Sequence, residues 1–383
     1  MPVTLWKNRL YRWMLPILGL HVLHNSARSD DLPPKALGEL EKIFRRHLVV
    51  GASVQLIRGG ELGPLVTYGN ACLASADVVP QTIFRAASIT KMVTAVGAMR
   101  LIERGVLNMQ EPIETYLGFP VRNPLHSDQQ ITLYQLLSHT SSLCDGPGYE
   151  QALHSPISLQ TLLSDPKNYI QTAPGEAFRY SNLGAGMVGS VMECATKRSL
   201  EALMQELVLE PLGMNASYTL KHWPDAALAA NIYRVLPSRR RPVFDAAKRF
   251  ETADPLLTPD PEHHYLIAAG NLFTDAASLG KLLCVLARGG SPLLSPESMA
   301  LMQMPVAAYG QHAPFMHHCL GLSLVEDQKL CPGRVFGHQG FAYGAAEGVF
   351  YQESTGNGLV FLNSGASELR RDNLACVNRD LIA

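Results

Sequence analysis

Ser88 and Lys91 are three residues apart, and together they have the makings of a nucleophile and its base. Residues at i and i+3 of a helix share one face, with Cβ atoms about 5–6 Å apart, so the amine can approach the hydroxyl. A serine hydroxyl attacks a carbonyl efficiently only when a base removes its proton. A lysine with an ordinary pKa of about 10.4 is charged, but burial or a neighbouring cation lowers that pKa. Alone, the pair is common and usually marks a polar first turn with an exposed lysine.

Two motifs further along the chain carry groups that complete such a site. Tyr180 and Asn182 are two residues apart in a loop before a predicted helix. From there a phenol can relay a proton, while an amide can orient the lysine and a substrate carbonyl. His338 and Gly340 follow a β-rich run that begins at Val335, and a glycine there lets a substrate lie along the strand edge.

With these three motifs in order, the chain resembles the S-x-x-K acyltransferase superfamily, on its class C β-lactamase and serine-esterase side. The resemblance covers nearly everything from about residue 36 to residue 380. The further segments that carry it are Thr82–Ala87, Leu136–Ser141, Pro211–Met214 and Gly270–Thr274.

The resemblance implies a mechanism in which Ser88 attacks a carbonyl while Lys91 and Tyr180 share its proton. An oxyanion hole would be formed by the backbone N–H groups of Ser88 and Phe341. Water or another acceptor would then resolve the acyl-enzyme, and neither a cofactor nor a metal is implied. The residues expected to bind substrate or the oxyanion are Asn182, His338, Gly340 and Phe341.

The third motif departs from the β-lactamase pattern. Class C β-lactamases carry a lysine and a threonine where this chain has His338 and Gln339, and both help hold a substrate carboxylate. A histidine is largely neutral at pH 7, and its presence here resembles DD-peptidase, D-aminopeptidase and esterase relatives. Ser142 also replaces a glycine that is usual in the family. The chain is therefore expected to be an esterase or a D-amino-acid or DD-type peptidase, with a β-lactamase as the alternative.

Other function classes have weaker support. A catalytically silent penicillin-binding or sensor module need not retain Ser88, Lys91 and Tyr180 together. The glycine pattern over 184–189 lies within a predicted helix, whereas a dinucleotide site needs a preceding strand. The histidine pairs at 263–264 and 317–318 lack metal-ligand spacing, and neighbours on a strand point to opposite faces. We expect surface or cleft-lining histidines there, and a structural role for His139.

The surrounding elements predict an α/β fold: one antiparallel sheet built from both ends of the chain, flanked by terminal helices, with an inserted all-helical lobe. The site is expected between the sheet and that lobe. Helical spacing predicts helices over 34–48, 88–104, 131–138, 158–163, 184–196, 200–207, 276–287 and 368–381. β-rich runs predict strands over 49–58, 65–68, 335–338, 347–351 and 359–363. Residues 222–265 are expected to be irregular, with Arg239–Arg241 in a solvated loop.

Composition excludes several classes. With 32 Lys+Arg against 33 Asp+Glu, a net charge of −1 over 383 residues gives no basic field for nucleic acid. Apolar residues make up 47%, enough to offset the chain entropy that keeps polar sequences disordered. Seven cysteines are too few for a disulfide scaffold, although Cys319 and Cys331 are able to pair if the protein is exported. The expected partner is a small ester, amide or peptide.

Residues 1–27 resemble a secretory signal peptide. Three basic residues precede the short apolar run 13–22, and Asn25, Ser26 and Ala27 form a passable cleavage site. The run is shorter than the roughly 20 residues that a membrane span requires. We therefore expect an exported protein, periplasmic or secreted, whose residues 28–383 form one two-lobed domain. The alternative is a cytoplasmic protein with an amphipathic terminus.

Overall fold

A computed structural model describes residues 25–73, 75–236, 239–310 and 313–383. Its helices are α1 (Pro34–Arg46), α2 (Ile89–Glu103), α3 (Ile113–Leu117), α4 (Leu133–Leu137), α5 (Pro147–Ala152), α6 (Leu159–Leu163), α7 (Asn182–Thr196), α8 (Leu200–Met204), α9 (Ala246–Thr252), α10 (Tyr265–Ala268), α11 (Ala276–Ala287), α12 (Pro296–Gln303) and α13 (Cys376–Ile382). Its strands are β1 (Ala27–Arg28), β2 (Gly51–Arg58), β3 (Glu61–Cys72), β4 (Ala76–Asp77), β5 (Phe84–Arg85), β6 (Ala216–Ser217), β7 (Ile232–Leu236), β8 (Arg239–Phe244), β9 (Phe273–Thr274), β10 (Ala307–Ala308), β11 (Met316–His318), β12 (Ser323–Val325), β13 (Val335–Ala342), β14 (Ala345–Gln352), β15 (Gly358–Asn363), β16 (Arg370–Arg371) and β17 (Leu374–Ala375).

The main sheet joins the two ends of the chain. Its order is β1-β3-β2-β15-β14-β13-β12-β11-β10, with β4 also paired to β3. The amino-terminal and carboxy-terminal strands meet where β2 pairs antiparallel with β15, Ala52 opposite Asn363. The predicted α/β fold class is therefore confirmed, since one antiparallel sheet is built from both ends.

The sheet is covered on both faces, which explains why β2 is buried along nearly its whole length. On one face, α1 and α13 pack over an apolar cluster that includes Phe44 and Phe361, whose rings stack at 6.0 Å. On the other face, α2 and α11 belong to the largest core, together with the helices between them. Burial of each large aromatic side chain there contributes about 1.5–3 kcal/mol.

The glycine pattern at 184–189 lies inside α7 and allows helices to approach closely. A Cβ on Gly186 would lie 1.7 Å from the carbonyl oxygen of Tyr265, and one on Gly189 would lie 2.6 Å from Ala268 Cβ. Both contacts belong to α10, which packs against α7. The local structure is the helix that the sequence predicts, and its glycines are used for helix packing.

The expectation of an irregular segment over 222–265 is wrong. Strands β7 and β8 form a hairpin there, and α9 follows it. Arg239–Arg241 therefore lies in a strand and not in a solvated loop. Charged residues and Pro242 hide the strand pattern, while Ile232 is buried against Ala87 and the end of β13. The inserted region also contains the small sheet β5-β9-β6, so it is not entirely helical.

The predicted final helix is too long at its start. Residues 370–375 form the β16–β17 hairpin, and α13 begins only at Cys376. Asp372 and Asn373 have φ values of 54° and 63°, the left-handed conformations that a two-residue hairpin turn requires. The helical spacing of the apolar residues concealed this turn.

Several expectations concern the compartment. Most of the predicted signal peptide, residues 1–24, lies outside the described residues, and the predicted cleavage boundary after Ala27 falls within β1. All seven cysteines lie among the described residues as free thiols, so Cys319 and Cys331 are not paired. Among the described helices, none combines the length and apolar character needed to cross a bilayer.

Candidate active site

Ser88 is the residue that precedes α2, and its hydroxyl makes no capping hydrogen bond. The segment before it is firmly held: the Ala86 N–H donates to the Leu272 carbonyl at 2.8 Å, and the Thr90 hydroxyl donates to the Ala87 carbonyl at 2.5 Å. Ala87 has a φ of 44°, a conformation that costs a non-glycine residue about 1–2 kcal/mol. The packing around this turn therefore holds a strained backbone that presents the Ser88 hydroxyl.

Lys91 lies one turn into α2, buried beneath Ser88. Its Nζ is 2.9 Å from Ser88 Oγ, 2.8 Å from Asn182 Oδ1 and 2.6 Å from the Ala269 carbonyl oxygen. Burial lowers the pKa of Lys91 to about 7; the carboxylate of Asp145 opposes this fall, and Arg85 adds to it. The amine is thus poised between its charged and neutral forms near neutral pH, as a base for a serine requires.

Asp145 was not identified from the sequence, yet it organises the second motif. Its carboxylate accepts hydrogen bonds from the Asn182 N–H at 3.0 Å and the Asn182 side-chain amide at 2.7 Å. It also accepts from the Ser181 hydroxyl at 3.0 Å and the Leu183 N–H at 2.9 Å. An acid at a helix amino terminus is favoured because it satisfies free N–H groups. Asp145 therefore fixes Asn182, whose other amide atom holds Lys91.

Tyr180 lies beside Ser88 and Lys91, and Lys91 Nζ is 5.3 Å from the centre of its ring. Burial raises the pKa of the Tyr180 phenol, and a hydrogen bond with Ser88 opposes that rise. The phenol is therefore protonated at neutral pH. His139 stacks on the Tyr180 ring at 4.4 Å, and its Nδ1 accepts a hydrogen bond from the Ser181 N–H at 3.2 Å. This contact agrees with the structural role expected for His139.

A third histidine completes a buried aromatic cluster behind Tyr180. The ring of His318 lies 4.6 Å from His139 and 6.4 Å from His338. Burial lowers the pKa of His318 to about 3, and its Nδ1 is 3.2 Å from the Tyr309 hydroxyl. His317 is less buried and lies 3.7 Å from Glu326, so the two neighbours occupy different environments, as expected on a strand.

The other histidine pair also lies apart from a metal. His264 is buried, with Nδ1 2.8 Å from a Glu193 carboxylate oxygen, so the expected surface or cleft position is wrong for it. His263 is more exposed and lies 3.0 Å from Asp260. In the part of the chain that the structure describes, no group of three or more histidine, cysteine or acidic side chains could hold a metal ion.

In the third motif, His338 and Gln339 point to opposite sides of β13. His338 Nδ1 lies 2.7 Å from the Gln339 carbonyl oxygen and must donate to it, because a carbonyl only accepts. Burial lowers the pKa of His338 to about 4, with Lys91 adding to the fall, so the ring is neutral at pH 7. A neutral ring that donates from Nδ1 leaves Nε2 as an acceptor.

The Gln339 side chain reaches the β16–β17 hairpin instead of the site. Its amide donates to the Asn373 carbonyl at 2.9 Å and accepts from the Ala375 N–H at 2.8 Å. The residue after it, Gly340, makes room for protein packing. A Cβ there would lie 2.8 Å from both the Ala86 carbonyl oxygen and a Glu347 carboxylate oxygen. The space that the sequence assigned to substrate at Gly340 is therefore occupied by the protein.

An open cleft of about 540 Å³ lies in front of Ser88. Five of the predicted site residues line it, Lys91 lies beneath, and Gly340 lies behind. Its lining residues are Ser88, Phe178, Arg179, Tyr180, Asn182, Tyr309, Ser323, His338, Gln339, Phe341, Arg370 and Asn373. Sequence reasoning missed Arg179, Tyr309, Ser323, Arg370 and Asn373, none of which has a spacing relative to the motifs that marks it.

The chain was compared with known proteins. The family model described as Beta-lactamase matches residues 40–378, most of the chain. Esterase EstB of Burkholderia gladioli is 32% identical over 192 residues, which cover 45% of this chain and 48% of EstB. The D-alanyl-D-alanine-carboxypeptidase/endopeptidase AmpH of Escherichia coli is 30% identical over 152 residues, which cover 37% of this chain and 39% of AmpH. The matched part thus spans half or less of these curated relatives.

The fold also resembles solved structures. EstCE1, described as a hydrolase with promiscuous acyltransferase activity, superposes with a TM-score of 0.74 at 22% identity. The match covers 90% of this chain and 97% of that one. At this level of identity the likeness concerns the fold, in which the same sheet and helices enclose the cleft.

Proposed function

The chain belongs to the beta-lactamase family, and we propose that it is a serine hydrolase that cleaves an ester or amide bond through an acyl-enzyme on Ser88. The observation that carries the proposal is the position of Lys91: its Nζ is buried and 2.9 Å from Ser88 Oγ. A lysine with a pKa lowered to about 7 is a competent base for that hydroxyl.

Acylation begins when neutral Lys91 takes the proton of Ser88. The lysine keeps its two N–H groups on Asn182 and the Ala269 carbonyl and directs its lone pair at Ser88 Oγ. The oxygen then forms a bond to the substrate carbonyl carbon, and the carbonyl oxygen becomes an oxyanion. The backbone N–H groups of Ser88 and Phe341 are proposed to stabilise it, each by a few kcal/mol.

Tyr180 is proposed to complete the proton transfer. Its protonated phenol hydrogen-bonds with Ser88 and can pass a proton to the leaving group as the carbonyl–heteroatom bond breaks. The proton held by Lys91 then replaces the one that Tyr180 gave. In deacylation a water loses a proton along the same path and attacks the acyl carbon, which releases the acid and restores Ser88.

The third motif favours esters and peptides over β-lactams as substrates. Neutral His338 supplies no positive charge where class C β-lactamases place a lysine. The names of EstB and AmpH describe an esterase and a D-alanyl-D-alanine peptidase, which agrees with this preference. We propose esterase or D-amino-acid-type peptidase activity and expect benzylpenicillin to be turned over slowly or to leave a lasting adduct.

Intact-mass spectrometry with an organofluorophosphonate probe tests the nucleophile. The wild-type protein is expected to gain one adduct and to lose ester hydrolysis, whereas Ser88→Ala gains none. Ser323→Ala is the matched control, because Ser323 lines the same cleft and has no neighbouring lysine. An adduct that persists in Ser88→Ala would contradict the proposed function. Incubation with benzylpenicillin in parallel separates a penicillin-binding peptidase from a β-lactamase.

The proposal also includes export through residues 1–27. Expression in a Gram-negative host is expected to place the protein in the periplasmic fraction, with the leader removed. An amino terminus at Met1 and recovery only from the cytoplasm would contradict export and leave the proposed chemistry untouched.

A further inference from the structure

The mouth of the cleft carries positive charge without a matching acid. Among its described lining residues, the only ionised side chains at neutral pH are Arg179 and Arg370. His338 is neutral there, and Lys91 lies beneath the cleft floor. A substrate that enters therefore meets cations at the mouth and neutral groups near its reacting carbonyl.

Arg370 lacks the carboxylate partner that its neighbours have. Arg371 lies 3.4 Å from Asp372, and Arg379 lies 3.2 Å from Asp327. Within the described residues, no carboxylate oxygen lies within 4 Å of the Arg370 guanidinium. Its unused N–H donors form a planar fork that matches a carboxylate.

Arg370 is held in a defined place despite its exposure. Its guanidinium carbon lies 3.5 Å from the centre of the Phe341 ring. The hairpin that carries it is fastened by the Gln339 side chain, through Asn373 and Ala375. Because Phe341 follows the third motif directly, this arrangement fixes a cation next to the proposed oxyanion hole.

We propose that Arg370 is a specificity-determining residue that binds a carboxylate of the substrate, and that the enzyme prefers esters or amides which carry one. The inference rests on the proposed function and names its substrate class. Bidentate pairing between guanidinium and carboxylate is strong and directional, whereas an exposed pair is weakened by water and salt. The expected preference is therefore about fivefold to tenfold. Gln339 is the positioning residue that holds the hairpin.

Two pairs of matched esters test the preference. Mono-4-nitrophenyl glutarate and 4-nitrophenyl valerate differ by a carboxylate in the acyl part, and 3-acetoxybenzoate and phenyl acetate differ by one in the leaving group. Arg370→Gln is expected to reduce the ratio of kcat/KM for charged over neutral ester about fivefold to tenfold in at least one pair, mainly through KM. Arg371→Gln, one residue away, is expected to keep the wild-type ratio. An unchanged ratio in both pairs for Arg370→Gln would overturn the inference.

A binding measurement separates this inference from the proposed function. Calorimetry compares the two charged esters binding to Ser88→Ala and to the Ser88→Ala/Arg370→Gln double variant. The second substitution is expected to raise Kd about fivefold for at least one ester. If the wild-type protein hydrolyses no ester and gains no adduct, the proposed function fails, and the calorimetric result still decides the role of Arg370. Equal Kd values in the two proteins would overturn it.

Discussion

The floor and the rim of the cleft differ in how far their polar groups are satisfied within the protein. On the floor, Lys91 and Asn182 are held by one another and by Asp145, with distances of 2.6–3.0 Å. On the rim, His338 Nε2 is buried without a partner among the described residues, and Arg370 has no carboxylate. Preorganised groups accelerate a fixed reaction because they need not rearrange, whereas unsatisfied groups wait for a ligand. The floor is thus built for the chemistry and the rim for the choice of substrate.

Substitution of Lys91 tests the floor most severely. Lys91→Met removes the proposed base while keeping an unbranched side chain of similar length. We expect kcat for ester hydrolysis to fall at least about 10³-fold, since general-base catalysis contributes about 10²–10⁴-fold. Stopped-flow or steady-state assays with 4-nitrophenyl esters measure the loss, and circular dichroism confirms the fold. A fall of less than tenfold would assign the base to another residue.

Asp145→Asn tests whether the floor depends on residues that never touch substrate. An asparagine amide presents N–H donors to backbone N–H groups that need an acceptor, so Asn182 should lose its position. We expect kcat/KM to fall about 10- to 100-fold and the free energy of unfolding to fall by about 2 kcal/mol, as charged hydrogen bonds are worth about 1.5–3 kcal/mol each. Kinetics and urea denaturation measure the two effects. Glu150→Gln is the control, because Glu150 is an exposed acid on α5; an equal loss there would deny Asp145 a special role.

The pH dependence of kcat/KM reports the charge state of the floor. Only neutral Lys91 can accept a proton, so activity is expected to rise with pH, to bend at about pH 7 and then to level off. The Asp145 carboxylate raises the pKa of Lys91, so Asp145→Asn should move the bend to lower pH. Arg85 lowers that pKa, so Arg85→Gln should move the bend to higher pH. Shifts in the same direction for both variants would disprove this electrostatic account.

Gln339→Ala probes the rim and should have the smallest effect. The substitution frees the β16–β17 hairpin while leaving Lys91 and its partners in place. We expect KM for a charged ester to rise about twofold to threefold and kcat to change less than twofold, since each neutral hydrogen bond is worth about 0.5–1.5 kcal/mol. Steady-state kinetics on the charged and neutral esters measures the effect. A tenfold fall in kcat would show that rim and floor are not separable.

The fold was largely predictable where the pattern is local and uninterrupted. Residues 276–287 were predicted as a helix and form α11 with those bounds, because apolar residues at helical spacing follow the capping residue Asp275. Strand β2 and its pairing with the carboxy-terminal strands were likewise accessible from composition. The prediction failed at 370–375, where a turn through Asp372 and Asn373 interrupts an apparent helix. It also failed at β8, where packing against distant residues outweighs the local charge.

The sequence by itself determined which chemical groups are present and set Ser88 beside Lys91, because three residues along a helix bring two side chains together whatever surrounds them. Only the tertiary structure decided that the lysine is a base. Its partners Asn182 and Ala269 are 91 and 178 residues away, and the burial that lowers its pKa comes from other elements. Asp145, Arg370 and the histidines behind Tyr180 entered the site in the same way. A local pattern fixes the types and near neighbours of reactive groups, whereas solvation and long-range contacts, which set their charge and orientation, arise only when the chain folds.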